Sequence, residues 1–181
     1  MIARFARGVD IRKLGSGSIG ATNVWRAAGA RYAIPVMLLD IAKGFVPALV
    51  ATMAAGHVAG ALAGGFAMLG HWRPIFLRFA KGGKTVATCG GALLGLAPVV
   101  GLIGIAVWLV VFALARYASV SSILAALSLP IAALVLEEPW PVLVFTSAAA
   151  VAVLLLHRPN VARLRAGTET RVHLRRKTAR A

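Results

Sequence analysis

Acidic side chains are nearly missing from this chain of 181 residues, which holds five Asp and Glu in all. Apart from the adjacent Glu137 and Glu138, they stand far apart at Asp10, Asp40 and Glu169, so no two-carboxylate hydrolase site is in view. Cysteine is rarer still. Cys89 stands alone, which excludes an internal disulfide and leaves no thiolate cluster for zinc or iron–sulfur chemistry. Charged residues make up only 14% of the chain, too few to cover the surface of a water-soluble domain.

What fills the chain instead is apolar. Hydrophobic residues reach 60% and the mean hydropathy is +0.84, which places the protein in a membrane. Twenty Lys and Arg give a formal net charge of +15. In a soluble chain that excess points to nucleic acid; between apolar spans it points to basic loops on one side of a bilayer, with membrane lipid and no nucleic acid as partner. An apolar helix needs roughly 20 residues to cross about 30 Å of hydrocarbon, so the length accommodates six spans and no large soluble domain. The expected fold is an all-α, polytopic helical bundle forming one membrane-embedded domain over residues 1–181, with a basic N-terminal segment at 1–31 and a basic tail at 158–181.

The spans are expected at about Tyr32 to Gly56, His57 to Phe79 (interrupted by Pro74), a short third one from the Gly82-Gly83-Lys84 break to Leu96, a fourth from the Pro98 turn to Arg116, then Val120 to Leu136 and Trp140 to His157. The start of the chain lacks the order of a signal peptide. Charge provides an independent check. Nineteen of the twenty basic residues fall in the N-terminal segment, the Arg73–Lys84 connection, Arg116 and the tail, while the alternate connections hold none. Both termini are therefore expected on the cytoplasmic side. The exception, Lys43, lies with Asp40 inside the first span; such a pair is costly in lipid and should face the protein interior, as a structural ion pair or as a functional group.

Four polar stretches interrupt the apolar pattern. In Gly15-Ser16-Gly17-Ser18-Ile19-Gly20-Ala21-Thr22-Asn23, followed by Arg26, the glycines let backbone N–H groups converge as in a phosphate cradle, or simply as a flexible approach to a helix. Lys81-Gly82-Gly83-Lys84-Thr85 resembles the end of a nucleotide-binding P-loop, but that motif requires glycine where Arg78 stands, which excludes the nucleotide reading. What remains is a lysine on a flexible backbone, suited to an anionic substrate or to snorkelling. Ser119, Ser121 and Ser122 follow Arg116, either capping a helix or contacting substrate. His157, Asn160 and Arg163 share one face if the helix resumes after Pro159. No His is followed five residues later by Asp, so the acid–base pattern of many soluble and peripheral acyltransferases is missing. Catalysis must rest on positioning and neutralisation of anions.

The ordered set resembles one family. The glycine-rich stretch at 15–23, Gly70-His71 leading to Gly82-Gly83-Lys84-Thr85-Val86-Ala87-Thr88, then Arg116-Tyr117-x-Ser119-x-x-Ser122, then His157-Arg158-x-Asn160 with Arg163-Leu164 and Gly167-x-Glu169, is similar to the bacterial acyl-phosphate-dependent glycerol-3-phosphate acyltransferases of the PlsY type. The similarity runs over essentially the whole chain. It implies a multi-pass enzyme of the bacterial inner membrane, its active site facing the cytoplasm, that needs no cofactor or metal. The substrates implied are acyl phosphate and glycerol 3-phosphate, and the products lysophosphatidate and phosphate.

By the same resemblance Ser16, Lys84, His157 and Asn160 are the expected catalytic residues. Gly17, Gly20, Thr22, Asn23, Arg26, Lys43, Gly82, Gly83, Ser119 and Ser122 are the expected substrate-binding ones. Two departures stand out: Ser18 occupies a position where the family usually has Asn, and the further hydrophobic span with which members usually begin is not present, so six spans are expected in place of seven. The alternatives to this reading are a membrane transporter of small anions and an inactive, truncated homologue.

Overall fold

The structure, a computed structural model, describes residues 10–172. Helices make up almost all of it: α1 (Ala21–Ala28), α2 (Ala30–Trp72), α3 (Val86–Leu96), α4 (Pro98–Ala115), α5 (Ala118–Val135) and α6 (Trp140–Arg165). Short 3-10 turns stand at Ile11–Lys13 and Ile75–Leu77.

At 1.5 Å per residue, 43 residues of unbroken helix reach roughly 65 Å, twice the hydrocarbon thickness. The α2 segment is therefore divided, as the sequence leads one to expect, at Ala55 and Gly56, whose backbone is non-helical. Gly56 adopts φ +79°, a left-handed conformation that a residue with a Cβ rarely takes. The two arms, residues 30–54 and 57–72, fold back on each other and bring Lys43 to His71. Between the arms lies α3. A Cβ on Gly44 would meet the Thr88 carbonyl oxygen at 2.1 Å, and one on Gly91 the Ile41 oxygen at 2.0 Å. Small residues thus let backbones touch, which is how helices hold together where lipid removes the hydrophobic contrast.

The core is correspondingly rich in alanine (Ala48, Ala92, Ala133 and Ala149, with Leu93, Val100 and Phe145). Large apolar side chains point outward: Met53 is 80% exposed and Leu114 82%, the inside-out pattern of a lipid-facing surface. Four segments, including α2 as one stretch, are long and apolar enough to cross a membrane, and α3 is a shorter apolar helix. With α2 counted as two arms and α3 as the short one, this is the six-span arrangement.

Two boundaries differ from expectation. The second arm of α2 ends at Trp72, before Pro74, and the chain runs to Val86 through the turn at Ile75–Leu77. At the other end α6 continues through Pro159 to Arg165, eight residues into the stretch read as tail. Its last turns carry His157, Asn160 and Arg163 on one face. The remaining tail to Val172 packs back, with the Val172 N–H donating to the Arg116 carbonyl at 2.9 Å. Residues 1–9 and 173–181, with Arg4, Arg7 and the last basic cluster, lie outside the described part of the chain.

Candidate active site

Three segments converge at the end of the bundle that carries the basic loops. The first is the glycine-rich loop. Gly15 and Gly17 adopt φ +57° and +67°, and the loop wraps around Asn23 of α1. The Asn23 Oδ1 accepts from the Ser16 N–H at 3.1 Å, while its Nδ2 donates to the carbonyls of Ile11, Leu14 and Ser18 at 2.8 to 3.0 Å. With these four bonds made, Asn23 shapes the loop. Ser18 performs a related task, donating to the Gly82 carbonyl at 3.4 Å, and Lys81 donates to the Ser16 carbonyl at 3.2 Å. The two glycine stretches are thereby tied together.

The second segment is residues 80–85. The N–H groups of Gly82 and Gly83 donate to the carbonyls of Trp72 and His71, each at 2.9 Å. The approach is so close that a Cβ on Gly83 would lie 1.7 Å from the His71 Nε2. Beneath it sits a cluster made across the α2 hairpin: Lys43 donates to Asp40 at 2.5 Å and contacts the His71 Nδ1, which lies 3.5 Å from Asp40. This turn places Lys84, whose ammonium donates to the Asn160 Oδ1. The next residue, Thr85, is buried, adopts φ +64° and has a hydroxyl with no hydrogen-bond partner.

The third segment is the end of α6 with the returning strand of chain. Glu169 is the hub: its Oε1 accepts from Ser119 Oγ at 3.0 Å and Asn160 Nδ2 at 2.8 Å, and its Oε2 from Arg163 Nε at 2.7 Å. Arg26 of α1 reaches the same strand and donates to the Thr170 carbonyl at 2.7 Å. His157 directs its Nδ1 at the Val153 carbonyl, 2.8 Å away. A carbonyl only accepts, so Nδ1 carries the proton and a neutral ring keeps its lone pair on Nε2.

Electrostatics follow from this crowding. Burial lowers the Lys84 pKa to about 8, with Arg163, Lys81 and Arg26 adding repulsion that Glu169 only partly offsets. Burial likewise pushes Arg26 down. For Glu169 burial works against ionisation, but the bonds from Asn160, Arg163 and Ser119 outweigh it and hold the carboxyl below the usual range. With Asp40 paired to Lys43, Glu169 alone faces Arg26, Lys84 and Arg163, and the site carries more positive charge than it balances, the condition under which an arriving anion binds well.

These groups form the mouth of a cavity of about 390 Å³ whose deeper walls are apolar. Ser16, Lys84, His157 and Asn160 all line it. So do Gly20, Thr22, Asn23, Arg26, Ser119 and Ser122. Several of these have their polar atoms engaged already: Asn23 as above, Ser119 with Glu169, and Ser122 between the Ala118 carbonyl and the Trp108 indole N–H.

Four expected binding residues have other places. Gly17 lies in the loop behind the lining, Gly82 and Gly83 have their N–H groups bonded to α2, and Lys43 is turned toward Asp40 and His71. The Gly82 and Gly83 bonds fix the backbone that carries Lys84. Sequence reasoning missed Thr85 and gave no role to His71 or Glu169, although all three line the cavity. The signal available for Glu169 was its charge, since no other acidic residue lies between Glu138 and the end of the chain.

A family model described as glycerol-3-phosphate acyltransferase matches residues 1–167. The chain is 45% identical over 176 residues to a glycerol-3-phosphate acyltransferase of Roseiflexus sp. (strain RS-1), covering 94% of this chain and 86% of that one. It is 42% identical over 190 residues to a glycerol-3-phosphate acyltransferase of Synechococcus elongatus, covering 99% and 90%. Among solved structures it is similar to the integral membrane glycerol 3-phosphate acyltransferase PlsY (YgiH). The glycerol 3-phosphate form superposes with a TM-score of 0.90 at 40% identity, over 95% of this chain and 86% of that one. The lysophosphatidic acid form, with the same identity and coverage, gives 0.86. By the extent of the family match and the identity to these relatives, the chain belongs to the glycerol-3-phosphate acyltransferase family.

Proposed function

We propose that this protein transfers a fatty acyl group from acyl phosphate to the 1-hydroxyl of glycerol 3-phosphate, at the cytoplasmic face of a bacterial inner membrane. The observation that carries the reading is the pairing of an under-neutralised cationic mouth, Arg26 and Lys84, with an apolar cavity directly behind it. That shape suits a molecule with an anionic head and a hydrocarbon tail. Glycerol 3-phosphate, small and doubly charged, fits the mouth alone.

An acyl phosphate already has a good leaving group, so little covalent help is required. The 1-hydroxyl oxygen attacks the carbonyl carbon, the bond from that carbon to the phosphate oxygen breaks, and inorganic phosphate departs. Arg26, Lys84 and the loop at 15–20 hold the two phosphates near each other, and Ser16 and Asn160 orient the reacting groups. The hydroxyl proton passes to a phosphate oxygen of the substrates, and the neutral His157 ring lines the same cavity. A transporter of small anions needs a path open at both ends; here α4 packs tightly on α3 and α5 through Gly101 and Gly104 at the far end of the cavity lining.

The test is product analysis. Purified protein in lipid nanodiscs, given palmitoyl phosphate and glycerol 3-phosphate, is expected to yield lysophosphatidate acylated at the 1-position and one phosphate per ester. Phosphate release that does not depend on glycerol 3-phosphate sinks the proposal.

A further inference from the structure

Each helix around the apolar part of the cavity presents one stripe at helical spacing. On α4 it runs from Phe112 down to Gly101, on α5 from Ser119 to Leu129, and before and along α3 from Thr85 to Leu94. At 1.5 Å per residue each stripe descends roughly 15 Å, half of the about 30 Å hydrocarbon and hence the thickness of one leaflet. The floor has a physical cause. A Cβ on Gly104 would lie 2.6 Å from a methyl of Leu129, and one on Gly101 2.9 Å from the backbone nitrogen of Leu94. These two glycines let α4 close onto both neighbours, and the Leu129 side chain fills the gap that remains.

Gly90 stands midway down the α3 stripe. It lines the cavity, yet a Cβ placed there meets nothing within 4 Å. Glycine is therefore not required at this position by packing. Its effect is to leave the channel open at mid-depth.

We infer that this channel measures the acyl chain, with Gly90 keeping its middle open and Leu129 against Gly104 setting its end, so that chains about one leaflet long are preferred. The inference rests on the acyl-transfer reading above and specifies its donor. A methylene gained or lost in an apolar pocket changes discrimination by roughly 10- to 200-fold at most, so single substitutions along the channel must alter the ratio between chain lengths.

The experiment measures kcat/KM in nanodiscs for octanoyl, palmitoyl and stearoyl phosphate, with glycerol 3-phosphate saturating. Gly90→Leu is expected to raise the octanoyl-to-palmitoyl ratio at least about tenfold. Leu129→Ala, which lowers the floor, is expected to shift preference the opposite way, toward stearoyl. Gly65→Leu, equally free of contacts but on the second arm of α2 away from the cavity, leaves the ratios of the unsubstituted protein unchanged. Opposite shifts from the first two variants support the selector. Unchanged ratios in both, with only a uniform loss of rate, overturn it while leaving acyl transfer intact. Absence of product from the unsubstituted protein at every chain length overturns both.

Discussion

Lys84, on the loop before α3, donates a hydrogen bond to Asn160 on α6, linking positions 76 residues apart. The amide then passes the contact on to the Glu169 carboxylate through its Nδ2. Lys84 is thus aimed by a neutral group and stays able to pair with an anion. Replacing Lys84 by Ala is expected to reduce kcat/KM at least about a hundredfold, the scale of one lost donor to a developing charge. Lys84→Arg keeps the charge but changes reach and geometry, and recovers only part. Arg158→Ala, at an exposed position on α6, serves as the control and leaves activity unchanged. Steady-state kinetics on equally expressed proteins decide it.

The lowered pKa of Lys84 gives a pH dependence of definite sign. Below about 8 the amine is protonated and pairs with phosphate; above it the charge is lost. The log of kcat/KM is expected to fall as pH rises through about 8, and Lys84→Arg to remove that fall. Glu169 favours the charged form of Lys84. Glu169→Gln should therefore move the alkaline limb to lower pH, a displacement that loss of packing alone does not produce.

Thr85 offers a contrast between stability and function. Its left-handed backbone costs a β-branched residue about 1 to 2 kcal/mol, and its buried hydroxyl lacks a partner. Thr85→Gly removes both burdens, against a loss of roughly 0.5 to 1 kcal/mol in chain entropy. Thermal unfolding in detergent should show no loss of stability or a small gain. If the hydroxyl meets substrate phosphate beside Lys84, KM for glycerol 3-phosphate rises several-fold in the same variant; a KM that improves with stability rules that contact out.

The proposed orientation places Glu137 and Glu138 outside and the Lys84 loop within. Cys89, the one native thiol, is buried, so introduced cysteines are read without interference. In sealed cells a membrane-impermeant maleimide should label Glu138→Cys and spare Arg158→Cys. The reverse pattern inverts the topology.

Much of this was legible in the sequence because lipid enforces simple rules. Gly56 marks the hairpin and Pro98 the turn into α4, each where an apolar run exceeds or meets the span length. Helix α6 was read too short because Pro159 looks like a terminator, yet only about two turns from the helix end it removes one backbone bond and the helix continues. Lys84, His157 and Asn160 were visible as polar residues at or just beyond span ends and Ser16 as part of the glycine-rich stretch before the first span, while their catalytic roles came from the family resemblance. Glu169 was not assigned a role because its partners, Ser119 and Arg163, meet it only after the strand beyond α6 folds back. The Asp40–Lys43 pair was legible from its spacing, but the contact of Lys43 with His71 was not, because it depends on the hairpin, which brings together positions 28 residues apart.

A cationic mouth that activates an acyl phosphate holds it by its phosphate, a group that a thioester lacks at its reacting carbon. The most direct measurement is donor choice: purified protein with glycerol 3-phosphate and either palmitoyl phosphate or palmitoyl-CoA, in parallel with Lys84→Ala. Lysophosphatidate is expected from palmitoyl phosphate and little from the thioester, with a collapse of the phosphate-dependent rate on loss of Lys84. Robust turnover of palmitoyl-CoA with none of palmitoyl phosphate, or a rate indifferent to Lys84, contradicts it.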